Sequence, residues 1–243
     1  MKRILIGSRR RKDLSWFLLL IWPALTSLGA EPTKAEREGH ALAQELLAQK
    51  PADNSTNTGV LKIRDGRGNR SKIPVRIVTQ VTATHWQNLY TTAPATNGEP
   101  VALTVIHTDQ QPNQYLTQSS SSSSMTPFAN SDFWFADLGL EFFHWPGQRL
   151  LKRELRRGES CNVLESVNPQ PAPGAYARVV SWIDIDTGGI LHADAYGPDK
   201  KLLKVFEPKK FNKVNGRWQL KEMEIRNEQT DSRTTLVFDL EVE

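Results

Sequence analysis

The stretch Tyr176-Ala177-Arg178-Val179-Val180-Ser181-Trp182-Ile183-Asp184-Ile185-Asp186 runs into Thr187-Gly188-Gly189, then Ile190-Leu191-His192-Ala193-Asp194-Ala195-Tyr196 and Gly197-Pro198-Asp199. Runs rich in β-branched and aromatic residues, cut by turn-forming Gly, Pro and Asp, predict a hairpin that feeds a third strand at Lys201 to Glu207. The rhythm continues both ways. Upstream lie Gln148 to Arg156 and Ser160 to Val167, joined by Arg157-Gly158; downstream lie Arg217 to Asn227, after the Asn215-Gly216 turn, and Arg233 to Val242. Leu236, Phe238 and Leu240 alternate with Val237, Asp239 and Glu241, the pattern of a sheet apolar on one face. Short loops at even spacing predict an antiparallel meander, since parallel strands need long crossovers.

The first half carries the same signal after a helix. Thr33 can cap a helix over residues 33 to about 50, Glu36 sits in capping-box position, and Pro51 lies beyond its end. Leu42 and Leu46 share one face with Ala35 and Ala43, and Leu47 is adjacent. Asn54 to Thr58 reads as a polar linker. Val60 to Arg64, the turn Asp65-Gly66-Arg67-Gly68-Asn69 and Ile73 to Ala83 predict a hairpin, and His85 to Thr92, Val101 to Thr108 and Gln114 to Gln118 predict further strands. Ser119 to Ser124 is a run of six serines that cannot build a core and predicts a flexible loop. The expected fold is α+β and mostly β. One helix and about ten strands are accommodated if a strongly curved antiparallel sheet, an unclosed barrel, buries its concave face against the N-terminal helix.

The first thirty residues read as an export signal. Lys2, Arg3, Arg9, Arg10, Arg11 and Lys12 precede an apolar stretch from Leu14 to about Leu28, and Gly29-Ala30 follow. The stretch is short for a membrane span and Pro23 interrupts it, so a retained anchor is the weaker reading. Export through a signal peptide at residues 1–30 places a single domain over residues 31–243 outside the cytoplasm, in the periplasm. The leader also accounts for the basic balance. Of 31 Lys+Arg and 27 Asp+Glu, six basic and one acidic residue lie in it, leaving 25 basic and 26 acidic residues beyond. The composition therefore gives no support to nucleic-acid binding.

Few residues suggest catalysis or metal binding. Cys161 is the single cysteine, which excludes an intrachain disulfide and predicts a small buried residue on a strand. His40, His85, His107, His144 and His192 lack metal-ligand spacing. Asp184-x-Asp186-x-Gly188 begins like a calcium loop, but Ala195 stands where a bidentate Glu is required, so a hairpin is the better reading. Lys209, Lys210, Lys213 and Arg217 can touch lipid headgroups or simply form a solvated hairpin. No nucleophile elbow, phosphate loop or dinucleotide fingerprint occurs, and no cofactor is expected.

Residues 128 to 138 read Phe128-Ala129-Asn130-Ser131-Asp132-Phe133-Trp134-Phe135-Ala136-Asp137-Leu138. This resembles the "GSDFSYEDL" signature of bacterial LolA-like outer-membrane lipoprotein-sorting proteins. Asn130 replaces the signature's Gly, and Trp134 to Ala136 replace its Ser, Tyr and Glu. The ordered pieces that follow also resemble that family: Gly158 with Cys161, Val163, Leu164 and Glu165; Tyr176 to Asp184; Asp199 to Lys204; Gly216-Arg217-Trp218; and Thr234-Thr235-Leu236. The match covers about residues 125 to 242.

The resemblance implies an unclosed barrel with helices across its opening and a cavity that shelters acyl chains in transit through the periplasm. It implies lipoprotein acyl chains or other lipid as cargo, and inner- and outer-membrane envelope proteins as donor and acceptor. The expected state is a monomer with no enzymatic activity. Phe133, Trp134, Phe135, Leu138 and Phe142 form the densest aromatic patch, and Leu42 and Leu46 the apolar helix face. These seven are the candidate lining of the lipid cavity or its rim, with ordinary core packing as the competing reading. On the rim reading, Phe135→Asp and Leu138→Asp should weaken fatty-acid uptake without unfolding. Two other functions stay open: a non-transporting binding module of the envelope, and, less favoured, a periplasmic hydrolase.

Overall fold

The computed structural model describes residues 31–93, 100–109, 111–118, 123–214 and 217–240. The stretch read as an export signal, the Gly98-Glu99 part of the break before the fourth strand, the expected Asn215-Gly216 turn and most of the serine run lie outside the described residues. Pro32–Glu243 forms one unit, built mainly of strands.

Helix α1, Lys34–Leu47, starts at the capping box read from the sequence. Glu36 N–H donates to Thr33 Oγ1, and the Glu36 carboxylate accepts the Thr33 N–H at 2.7 Å. Twelve strands follow among the described residues: β1 Ser55–Arg64, β2 Arg70–Val81, β3 His85–Thr92, β4 Ala102–Thr108, β5 Gln114–Thr117, β6 Gly147–Arg156, β7 Glu159–Val167, β8 Arg178–Asp184, β9 Ile190–Tyr196, β10 Leu202–Val214, β11 Arg217–Asn227 and β12 Ser232–Phe238. They form one unclosed antiparallel sheet in the order β5-β4-β3-β2-β1-β12-β11-β10-β9-β8-β7-β6.

Two departures from the sequence reading have simple causes. Residues 55–58, read as a linker, are the start of β1 and pair with Arg76 to Thr79 of β2. Their polar side chains are all exposed there, so no apolar alternation betrays a strand. β10 runs past Glu207 to Val214, because Pro208, which has no N–H to donate, sits at a bulge in the pairing with β11.

The topology dictates where the site must be. β5 and β6 are neighbours in sequence but opposite edges of the sheet. Residues 123–146, in the connection between them, cross the mouth of the unclosed barrel. The inward face they cross carries two apolar clusters. One gathers Leu61, Val75, Tyr90, Leu103, Val105, Ile225 and Leu236. The other gathers Leu164, Val179, Ile183, Ala193 and Ala195 with Ala43 of α1, and Phe206 touches both.

α1 lies against the edge strand β6 at very close range. A Cβ added to Gly39 would sit 2.5 Å from the backbone N and Cα of Arg149. Neither backbone can yield, so Gly39→Val is expected to lower the unfolding free energy by about 2–3 kcal/mol, read from urea denaturation. The better helix propensity of valine over glycine recovers only a few tenths of that.

Candidate functional site

The crossing segment folds as a plug. Phe128 N–H donates to Phe133 O at 2.8 Å and Phe135 N–H to Thr126 O at 3.0 Å, which closes a tight loop whose tip is Ala129 to Asp132. Ala129 and Asn130 take left-handed backbone angles, φ 51° and 55°. Asn130 occupies the place of the signature's Gly, and asparagine is among the few residues that enter that region at modest strain. The departure from the signature is thus conformationally neutral. A short helix, α2, follows at Phe135–Gly139, and a 3-10 turn at Glu141–His144 leads into β6.

Apolar side chains seat the plug in both clusters. Phe128, Phe133 and Phe135 are nearly inaccessible in the first, where Phe128 meets Tyr90 edge-on at 5.9 Å and Phe135 stacks near Tyr115 at 6.2 Å. Leu138 packs against the same cluster. Trp134 turns the other way and stacks on Tyr176 at 4.6 Å, while Phe142 lies in the second cluster, with Leu42 and Leu46 of α1 packed against it. The seven candidate residues therefore do not converge on one wall. They divide between two clusters bridged by the plug. Phe135→Asp would place a carboxylate at a position only 2% exposed, so it would disturb the core itself.

Polar groups lock the tip in place. The Asp132 carboxylate accepts from the Thr234 hydroxyl at 2.8 Å and from the Ser232 hydroxyl, and the Asp132 backbone N–H donates to Thr234 Oγ1 at 2.9 Å. Lys204, from β10, is 2% exposed and donates to the Asp132 carbonyl at 2.6 Å. Its ammonium lies 3.6 Å from Asp137 Oδ2 and 3.5 Å from the centre of the Trp134 ring. Asp137 also accepts the Trp134 N–H at 2.7 Å, capping α2, and the Tyr176 hydroxyl at 3.0 Å. Burial pushes the Asp137 carboxyl above its ordinary range, an effect Lys204 opposes. Burial also pulls the Lys204 ammonium down to about 8, against the raising pull of Asp137 and Asp132. Burial likewise holds the Tyr176 hydroxyl well above its usual range.

The far end of the plug is fixed to both sheet edges. Asn113, just before β5, donates to Gly139 O at 2.6 Å, and Tyr115 donates to Glu141 at 2.8 Å. Gln148 of β6 donates to the carbonyls of Phe142 and Trp145, each at 2.9 Å, and accepts from Ser166 at 2.8 Å.

Sequence reasoning missed Lys204, Thr234 and Tyr176 as site residues, although each lies in a piece that carries the family resemblance. Those scattered pieces meet around Asp132 and Asp137. Gln148 and Asn113 gave no sequence signal.

Between plug and sheet a cavity of about 30 Å³ remains, bounded by Phe142, Tyr176, Val179, Ala193, Ala195 and Lys204 among others. That is room for about one water molecule. Cys161 is fully buried on β7, as expected. Among the described residues no cluster of His, Cys, Asp and Glu is arranged to hold a metal.

A large open antiparallel sheet, crossed by its own plug and by a helix, is a LolA-like fold. A family model described as uncharacterized-protein-like matches residues 111–241, just over half of the chain, and the chain belongs to that family. Among solved structures it is similar to a DUF1329 family protein from Desulfovibrio piger, at 20% identity over 85% of this chain and 92% of that one, TM-score 0.70. It is equally similar to an outer membrane lipoprotein-sorting protein domain from Vibrio parahaemolyticus, at 20% identity over 84% and 92%, TM-score 0.70. A LolA superfamily protein from Nitrosomonas europaea matches at 13% identity over 87% and 94%, TM-score 0.59. At such identities the likeness establishes the fold. No curated protein matches the sequence.

Proposed function

We propose that this chain is a non-enzymatic, periplasmic LolA-like carrier that shelters lipid or lipoprotein acyl chains against the concave face of its sheet. The observation that carries the reading is the plug itself. Phe128, Phe133, Phe135 and Phe142 fill an apolar trough with the chain's own side chains, and they are held there by a polar lock rather than by regular secondary structure. An acyl chain can take their place if the segment swings out. Each methylene it then buries is worth about 0.8 kcal/mol. Loading and release need only a shift between plugged and open states, which partners of different affinity can bias.

The cavity of about 30 Å³ favours a second reading. Ligand pockets run to roughly 300–1,000 Å³, so the plugged state holds no cargo. A sheet that stays plugged would serve as a binding module of the envelope that carries nothing.

Uptake of a fluorescent fatty acid, with native mass spectrometry of gently purified protein, separates the two. The carrier should bind about one acyl equivalent. Ala195→Val, which adds two carbons to the cavity wall, should weaken uptake about tenfold while costing only about 1–3 kcal/mol of stability, so that the protein stays folded. Absence of uptake, even under conditions where the plug opens, would leave the binding module standing.

A further inference from the structure

A groove of about 240 Å³ lies at the ends of β1, β2 and β12, lined by Ile63 and Ser71 and, from the opposite, outward face of the sheet, by Lys62, Arg64, Arg70, Lys72, Arg233 and Thr235. Lys62 and Arg64 alternate along β1 with inward Leu61, and Arg233 and Thr235 alternate along β12 with inward Thr234, so these side chains point away from the plug. The pairing register sets like charges directly across from one another: Lys62 opposite Lys72, and Arg64 opposite both Arg70 and Arg233. Arg226 of β11 stands opposite Arg233 and extends the row.

Directly opposed like charges destabilise a sheet. Counter-charges within the protein do little to relieve them. Asp231 approaches Arg64 at 3.5 Å with its side chain 75% exposed, and Glu228 pairs with Arg226. Glu224, the next acidic group along the face, is bound to Lys209 and accepts from Thr235. Among the described residues Lys62, Arg70, Lys72 and Arg233 have no carboxylate partner. Because the chain beyond residue 30 is close to neutral, this concentration is local and is not a by-product of a basic composition.

We propose that this groove is a binding site for phosphate groups, either on anionic phospholipid headgroups or free in solution. Three guanidinium forks match phosphate oxygens in pairs, and two ammonium groups add point charge. An anion seated among them relieves three repulsive cross-strand contacts at once, Lys62 with Lys72 and Arg64 with Arg70 and with Arg233. The site is independent of the acyl-binding reading, since it lies on the other face.

The test compares the protein with a Lys62→Thr/Arg70→Thr/Lys72→Thr variant. All three positions are exposed, and threonine suits a strand, so the variant should fold and melt no lower than the parent. Inorganic phosphate or pyrophosphate, set against chloride of equal ionic strength, should raise the parent's melting temperature by several degrees and leave the variant's unchanged. Vesicles containing phosphatidylglycerol should co-sediment the parent at least about tenfold better than the variant, whereas phosphatidylcholine vesicles should capture neither. The basic leader is common to both chains, so its contribution cancels. Capture by vesicles marks the source as a lipid headgroup; stabilisation by phosphate without capture marks it as free phosphate. Equal behaviour of parent and variant in both assays overturns the proposal, as does binding to polyglutamate as tight as to pyrophosphate.

Discussion

Asp132→Ala should lower the unfolding free energy by about 3 kcal/mol and open the plug before the sheet unfolds. The carboxylate accepts from two hydroxyls, those of Thr234 and Ser232, at a position 8% exposed. Hydrogen bonds to a charged acceptor are each worth about 1.5–3 kcal/mol, and removal leaves the buried Thr234 hydroxyl without this acceptor, while the half-buried Ser232 hydroxyl keeps Thr230 as a partner. The tip residues Ala129 and Asn130, already held at positive φ, then have less to keep them there. Hydrogen exchange should therefore speed up at Phe128, Phe133 and Phe135, whose amides bond within the loop or at its base, while Leu236 in β12 stays protected. Fatty-acid uptake should rise in the same variant, because the trough is vacated more often. A double-mutant cycle with Thr234→Val should show coupling of about 1–2 kcal/mol. Strict additivity would mean that the two residues act separately and that there is no lock.

The second large effect concerns Lys204. Lys204→Met leaves Asp137 buried without its cation and should lower stability by about 3–5 kcal/mol. Lys204→Met/Asp137→Asn should recover most of that loss, since asparagine can still accept the Trp134 N–H. The pair also gives the protein a signed dependence on pH. The Lys204 ammonium titrates at about 8 in the folded chain, below the ordinary value of about 10.4 that it regains on unfolding. Between those values the unfolded chain binds more protons, so this group makes stability rise with pH there, and its burden is fully present below about pH 8. Compared at each pH, wild type should gain on Lys204→Met by about 2 kcal/mol between pH 8 and 10. A constant difference would show that the ammonium is not buried as described.

The sheet was legible in the sequence because its hairpins announce themselves through turn residues. Asp65 to Asn69, Thr187 to Gly189 and Gly197 to Asp199 all mark real turns. The helix start was equally plain, since a capping box is a purely local device. What stayed hidden is nonlocal. That residues 123–146 pass over the concave face follows from strand order, which requires knowing that β1 pairs with β12. The aromatic patch was recognisable as a unit, yet composition does not separate a rim from a plug; only the near-complete burial of Phe133 and Phe135 does. Lys204 reads as an ordinary strand lysine, and nothing local shows that its ammonium meets the Asp132 carbonyl from a residue 72 positions away.

The pairing of β1 with β12 has a consequence for how the protein is made. Strands at opposite ends of the chain close the sheet in its middle, so neither meander is flanked on both sides until the last segment is available. Such remote pairing slows folding and leaves a nascent chain open for longer.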